Sequence, residues 1–162
     1  MTLRLTWLVG IYWCLAVNIT LAETADQQAE KTDEKEQKKF RAFTDHLTDA
    51  ILTGEFTVDG REKGDRHQER YEIRRIKKLP RGDYWLFEAR IAYGKHDLTL
   101  PIPLQVKWAG DTPVVTLNKV TLPGLGTFSA RVLFHENYYA GTWHHGDVGG
   151  QMFGKITKDL KE

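Results

Sequence analysis

Residues 138–156 read YYAGTWHHGDVGGQMFGKI, and this stretch defines a β-hairpin at the end of the chain. Two runs that alternate apolar and polar residues flank a cluster of glycine and aspartate, which is typical of two strands joined by a tight turn. The stretch is also rich in glycine, aromatic residues and histidine. It is therefore both the clearest fold signal and the first candidate for a functional site.

The registers of three hairpins can be predicted together, because opposed residues have numbers of constant sum and share a face. We place the turns at Glu136-Asn137, at 94–97 and at 146–149. Each choice puts apolar residues opposite one another and leaves the charged residues on the other face. The key pairs are Phe128 with His145, Phe134 with Tyr139, Trp85 with Val106, Phe87 with Leu104, Trp143 with Met152, Gly141 with Gly154 and Tyr139 with Ile156.

The same alternation continues upstream to Gly54, with turn residues at regular intervals. We predict an all-β fold, an eight-stranded antiparallel up-and-down meander that forms a closed barrel or a strongly curved sheet, preceded by one amphipathic helix. A flat sheet capped by the helix is the alternative. The predicted strands are 55–58, 69–79, 84–93, 98–108, 113–122, 127–135, 138–145 and 150–157.

Pro101 and Pro103 constrain the fourth strand, because alternate residues direct their N–H groups to the same neighbour and proline has none. One side of this strand must be partly unpaired. The sequence predicts either a barrel seam near residues 100–104 or an edge strand protected from aggregation.

Apolar residues at steps of three and four precede the strands and predict a helix over residues 33–52 that Gly54 stops. We expect this stripe to pack against the sheet. Residues 40–162 then form one barrel-like domain with its helix, and the charged residues 23–39 form a spacer, disordered or helical. The stripe consists of Phe40, Phe43, Leu47 and Ile51.

Residues 1–22 combine one charge, an apolar run and a small-residue end at Ala22, the pattern of a secretory signal peptide. We predict export to the periplasm or beyond the cell, with a mature chain that does not span the membrane. Cys14 is the only cysteine and lies inside this segment. The mature protein is therefore predicted to lack disulfides, thiol chemistry and cysteine-based metal sites.

No residue pattern in the chain matches a catalytic site. Ser129 is predicted mid-strand opposite His144, with no acid to orient the histidine. His144 and His145 point to opposite faces of a strand and cannot share an ion. Glu88 is the one acid on a well-registered strand, and an ion pair with Arg90 explains it. We predict neither catalytic residues, nor metal, nor cofactor.

The segment from Arg61 to Arg81 carries an excess of basic residues, although the whole chain is almost neutral, with 23 Lys plus Arg and 22 Asp plus Glu. It could contact an anionic component of the cell envelope. Lysine and arginine also protect exposed strands, and export argues against nucleic acid as a partner.

Glycines in the closing hairpin remove side-chain volume from an otherwise bulky inner wall. Either a large neighbour such as Trp85 or Trp108 fills this dent, or a small apolar ligand does. A filled interior behind Gly141 and Gly154 would remove the basis for a ligand. The predicted ligand-binding residues are Tyr139, Gly141, Trp143, His145, Met152 and Gly154.

Three strings of sequence also carry a resemblance: WAGDTP at 108–113, LPGLGTF at 122–128, and YAGTW with GGQMFG at 139–143 and 149–154. They resemble a group of uncharacterised exported bacterial proteins. That resemblance implies kinship over residues 54–162 and no particular activity. The number of predicted strands is similar to that of calycin barrels, and this analogy concerns the architecture alone.

Together these observations favour an exported, non-enzymatic barrel that binds a small apolar or amphipathic ligand. Two alternatives remain open at this stage. One is a solid structural or interaction module of the cell envelope, and the other is an enzyme of unassigned activity.

Overall fold

The computed structural model describes residues 9–61, 66–93 and 96–158, and leaves undescribed the side chains of residues 9–26, Tyr93 and His96. The predicted signal peptide lies outside the described side chains, and residues 1–8 lie outside the description altogether. Its removal stays a prediction.

The described chain is one helix followed by eight antiparallel strands in sequence order, and the last strand pairs with the first to close a barrel. The all-β prediction is confirmed, and the sheet is a closed barrel, which rules out the flat, helix-capped alternative. The elements are α1 Val9–Leu47, β1 Ala50–Thr57, β2 Arg66–Lys78, β3 Tyr84–Tyr93, β4 His96–Ala109, β5 Thr112–Leu122, β6 Gly126–His135, β7 Tyr138–His145 and β8 Val148–Lys158.

The predicted end of the helix at Leu52 is wrong, because α1 ends at Leu47 and β1 begins at Ala50. Asp49 adopts a φ of 54°, a left-handed conformation that stops a helix as a glycine would. Gly54 is therefore a residue inside β1, where it pairs with Gly154 of β8.

The end of α1 closes one end of the barrel. Phe43 and Leu47 are buried, and the Phe43 ring lies edge-on to Trp85 and Trp108 at centroid distances of 5.2 and 5.6 Å. Phe134 contributes a further ring at 6.2 Å. We call this end of the barrel the closed end. The prediction that the apolar stripe of the helix packs against the sheet holds for Phe43 and Leu47. Ile51, the last residue of the predicted stripe, belongs to β1.

The hairpin registers separate into one confirmed prediction and two corrections. The β6–β7 ladder pairs Phe128 with His145 and Phe134 with Tyr139, as predicted. In β3–β4, Trp85 opposes Leu104 instead of Val106, and in β7–β8 Gly141 opposes Met152 instead of Gly154. These ladders extend closer to their turns, and the resulting shift of two residues keeps every side chain on its predicted face.

The proline prediction for β4 is confirmed as a seam in a closed barrel. Residues 96–105 of β4 pair with β3, whereas pairing with β5 begins only at Gln105. Leu125, in the β5–β6 loop, is buried, and neighbouring Gly124 lies against Leu98 of β4. The loop therefore covers part of the gap that the prolines leave.

The chain divides into two compact units at Phe40. In the first unit, α1 exposes its side chains from Gln27 to Lys38. The second unit, Arg41–Glu162, contains the last turns of α1 and the barrel.

Candidate functional site

The barrel interior contains empty space between the closed end and the opposite rim, which we call the mouth. An inner cavity of about 190 Å³ is lined only by aliphatic, aromatic and methionine side chains, with Leu47 of α1 at one side. A second cavity of about 380 Å³ lies at the mouth. The two adjoin, since both are lined by Tyr71, Phe128, Trp143 and Met152.

The Tyr139 side chain lies along the barrel wall over two glycines, Gly154 and Gly54, which we call the glycine track. A Cβ atom on Gly154 would lie 2.6 Å from Cε1 of Tyr139, and one on Gly54 would lie 2.4 Å from the Tyr139 hydroxyl. Tyr139 is only 1% exposed. The paired glycines of β1 and β8 thus let the ring of a β7 residue reach β2.

The Tyr139 hydroxyl ends at Glu69 of β2. Its carboxylate accepts hydrogen bonds of 2.8 Å from the hydroxyls of Tyr139 and Tyr71, one on each oxygen. Glu69 is only 4% exposed. A buried carboxylate needs such donors, because an unpaired one loses its hydration without compensation.

Burial also sets the acidity of these groups. It raises the pKa of Glu69 above its usual range, while the two phenolic hydrogen bonds act in the opposite direction. Burial and the neighbouring carboxylate raise the pKa of Tyr139 far above its usual range, so this hydroxyl keeps its proton and serves as a donor.

Aromatic side chains surround the mouth. Trp143 lies edge-on to Phe56 at 5.5 Å, and its indole N–H donates to the carbonyl of Thr57 at 3.2 Å. Phe56 stacks on His67 at 5.1 Å. On the other side, Phe128 packs against His145 with ring centroids 4.4 Å apart.

Four of the six predicted ligand-binding residues line a cavity. Tyr139 borders the inner one, His145 the mouth, and Trp143 and Met152 both. Their part in ligand binding stays a prediction.

The predicted dent opposite Gly141 and Gly154 is wrong in position. The two glycines are not opposed, and the space over Gly154 is filled by Tyr139. At Gly141 a Cβ would lie 1.9 Å from the carbonyl oxygen of Arg131, so this glycine allows β6 and β7 to approach closely. The space over Gly154 is therefore filled, whereas both ladder partners of Gly141, Val132 and Met152, line the inner cavity.

Sequence reasoning missed Glu69, the buried acid of the interior. The available signal was the alternation His67, Glu69, Tyr71 and Ile73, which places an acid on the same face as two apolar residues. The surrounding excess of basic residues obscures that pattern, and the sequence predicts no register for β2.

The remaining candidates have structural roles. Ser129 opposes His144 as predicted, but its hydroxyl accepts the backbone N–H of Lys119 at 3.1 Å. Glu88 pairs with Arg75 of β2 at 2.7 Å instead of Arg90. Among the described residues, no cluster of three His, Cys, Asp or Glu side chains could hold a metal ion.

The basic run on β2 is partly neutralised on the outer face of the barrel. Arg70 and Arg90 both contact Glu72 at 3.2 Å, and Arg90 also contacts Asp97 at 2.7 Å. Contact with an anionic envelope component stays a prediction.

Within the described part of the chain, no helix is both long and apolar enough to cross a membrane. The class that the geometry defines is an eight-stranded up-and-down β-barrel with one end closed by a helix and an apolar interior that adjoins an aromatic mouth. In comparisons with family models, curated proteins and solved structures, nothing matches this chain.

Proposed function

We propose that this protein is an exported, non-enzymatic barrel that holds a small apolar or amphipathic molecule in its interior. The observation that carries the proposal is the inner apolar cavity of about 190 Å³ and its junction with the mouth. Eight-stranded barrels are wide enough to hold one small ligand. An apolar cavity of this kind excludes water and accepts hydrocarbon.

The two ends of the barrel support a route for the ligand. Phe43 and Leu47 obstruct the closed end. At the mouth, Trp143 and Met152 are only half-buried, and His145 is exposed. A ligand would therefore pass between Phe128 and Trp143, with its apolar part directed inward.

The alternative of a solid structural or interaction module would require a filled interior, and the cavity argues against it. Export rests on the pattern of residues 1–22. The non-enzymatic assignment rests on the sequence, which offers no nucleophile with a base and an orienting acid.

The direct test is calorimetric titration of the full chain with straight-chain alcohols from butanol to octanol. Each methylene that enters the cavity should tighten binding about fourfold, from about 0.8 kcal/mol per buried methylene. The increase should stop when the chain fills the available length.

Two variants in which an alanine is replaced by leucine test whether octanol binds in the inner cavity. Ala130 lines the inner cavity, so Ala130→Leu should fill it and weaken octanol binding at least about tenfold, an effect that the loss of two buried methylenes would produce. Ala140 lies on the next strand and points outward, because its neighbours Tyr139 and Gly141 point inward. Ala140→Leu should bind octanol as the wild type does. Equal affinities in the two variants, or no binding by the wild type, would contradict the proposed function.

A further inference from the structure

We propose that the mouth selects amphipathic amines: the ammonium group pairs with Glu69 among the aromatic side chains, and the apolar tail enters the inner cavity. This inference rests on the proposed function and adds the chemistry of the ligand head group. It follows from three features of the mouth: its acid, its aromatic walls and the charges of its lining.

The carboxylate of Glu69 keeps unused acceptor capacity. Each of its oxygens accepts one phenolic hydrogen bond, from Tyr71 or Tyr139. An ionised carboxylate offers about four acceptor positions, so about two remain. Glu69 lines the mouth cavity and not the inner one, which places this capacity where a head group would lie.

The walls around this acid are aromatic. Phe56, Tyr71, Phe128 and Trp143 line the same cavity as Glu69. Aromatic faces attract ammonium groups through their quadrupoles, and the attraction is strongest where water is excluded. A carboxylate beside several aromatic rings is the arrangement expected for an alkylammonium ion.

The charges of the cavity lining favour an amine over a carboxylate ligand. None of the described residues that line the two cavities is lysine or arginine. The influences on Glu69 are burial and two phenols, with no described cationic side chain among them. A fatty acid would bring a second negative charge to this place, whereas an amine supplies the missing positive one.

The test compares three ligands of equal chain length on the full chain: octylamine, octanol and octanoate, titrated calorimetrically at neutral pH. A charge-assisted hydrogen bond should make octylamine bind about ten- to a hundredfold more tightly than octanol. Octanoate should bind most weakly.

Two glutamine variants assign the effect. Glu69→Gln should remove the preference for octylamine over octanol, because it removes the charge that pairs with the ammonium group. Glu88→Gln removes the same charge from the outer face, where Glu88 pairs with Arg75, and should keep the preference. Circular dichroism establishes that both variants are folded.

The outcomes separate this inference from the proposed function. If octanol binds but octylamine binds no better, or if octanoate binds best, the barrel binds apolar ligands and the amine preference is wrong. Retention of the preference in Glu69→Gln also overturns it. If none of the three ligands binds, both proposals fail. The wild-type series can overturn the amine preference by itself, and the variants assign that preference to Glu69.

Discussion

The two ends of this barrel are built from the same alternating strands, yet among the described residues one end is filled by side chains and the other contains a cavity. At the closed end, Phe43 of α1 inserts among Trp85, Trp108 and Phe134, and Trp85 is fully buried. At the mouth, no described helix residue lines the cavity, and the wall consists of half-buried aromatic residues around Glu69. In this barrel, the end to which α1 contributes side chains is filled, and the end without a described helix residue keeps a cavity.

The polar groups differ in the same way. The core of the closed end consists of aromatic contacts around Phe43, whereas the mouth end contains an acid held by two tyrosines. Buried polar groups contribute less to stability than well-packed apolar ones, and they are frequent where a protein binds a ligand. We infer that the closed end stabilises the fold and that the mouth serves binding.

The largest expected loss of stability comes from a substitution at the closed end. Phe43→Ala should lower the free energy of unfolding by about 3–5 kcal/mol, because it leaves a cavity between four aromatic rings. Urea denaturation followed by circular dichroism measures this change. The folded fraction should still bind octanol, since Phe43 lines neither cavity.

Phe153→Ala is the matched control for that variant, since Phe153 lies on the outer face and is 38% exposed. It should cost much less than Phe43→Ala. Similar losses for the two phenylalanines would show that the helix does not hold the closed end together.

A substitution in the glycine track under Tyr139 should cause the next largest loss of stability. Gly154→Ala places a methyl group 2.6 Å from the Tyr139 ring and 2.4 Å from the Thr53 carbonyl oxygen. Because overpacking of a filled site displaces its neighbours, we expect a loss of about 1–3 kcal/mol in urea denaturation. Lys155→Ala, at the exposed next position, should stay within about 0.5 kcal/mol of the wild type. An equally stable Gly154→Ala protein would mean that Tyr139 does not lie over this glycine.

How far the sequence predicts this barrel depends on its turns. The two-residue turn at Glu136-Asn137 fixed the β6–β7 register correctly, and Glu136 adopts the left-handed conformation, with a φ of 49°. The other two hairpins also close with only two residues between the paired strand ends, not the predicted four. Alternation alone cannot detect an error of two residues, because it returns every side chain to the same face.

The site was predicted only in part for a related reason. Trp143 and Met152 are predicted to share the inner face because β7 and β8 are adjacent in sequence, and both line the two cavities. The contact between Tyr139 and Glu69 joins residues 70 positions apart across two intervening strands. It depends on barrel closure and on the pairing of Gly54 with Gly154, which hairpin registers cannot give.

The acid at the mouth predicts a smaller, pH-dependent effect. Burial raises the pKa of Glu69, so the folded protein holds this proton more tightly than the unfolded chain does. The stability of the wild type relative to Glu69→Gln should therefore be greatest at low pH and should fall as the pH rises from about 4.3 through the raised pKa. The fall should be about 1.4 kcal/mol for each unit by which the two pKa values differ.

Urea denaturation of both proteins from pH 4 to pH 8 measures this difference. Tyr71, Tyr139, His67 and His145 lie around the same mouth and are present in both proteins, as is Glu72, whose pKa is lowered by Arg70 and Arg90. The difference between the two proteins therefore isolates Glu69. A difference that grows with pH would contradict the burial of Glu69.

The outer ion pairs should show the smallest effect. Glu88→Gln breaks the contact with Arg75, both partners being accessible to water, and should leave the unfolding midpoint unchanged within error. The comparison is made at low and at high salt, because salt screens exposed charges. A marked loss of stability at low salt would show that the outer face contributes more than expected.

The central claim, that the mouth and the inner cavity receive a ligand, can be tested on a single methyl group. The chain contains two methionines, Met1 and Met152, and Met152 lines both cavities. Labelling methionine with carbon-13 at the methyl position gives a spectrum simple enough to assign with Met152→Leu. Titration with octanol should shift the Met152 signal to saturation and leave any Met1 signal in place. A Met152 signal that stays unmoved throughout the titration would contradict the account.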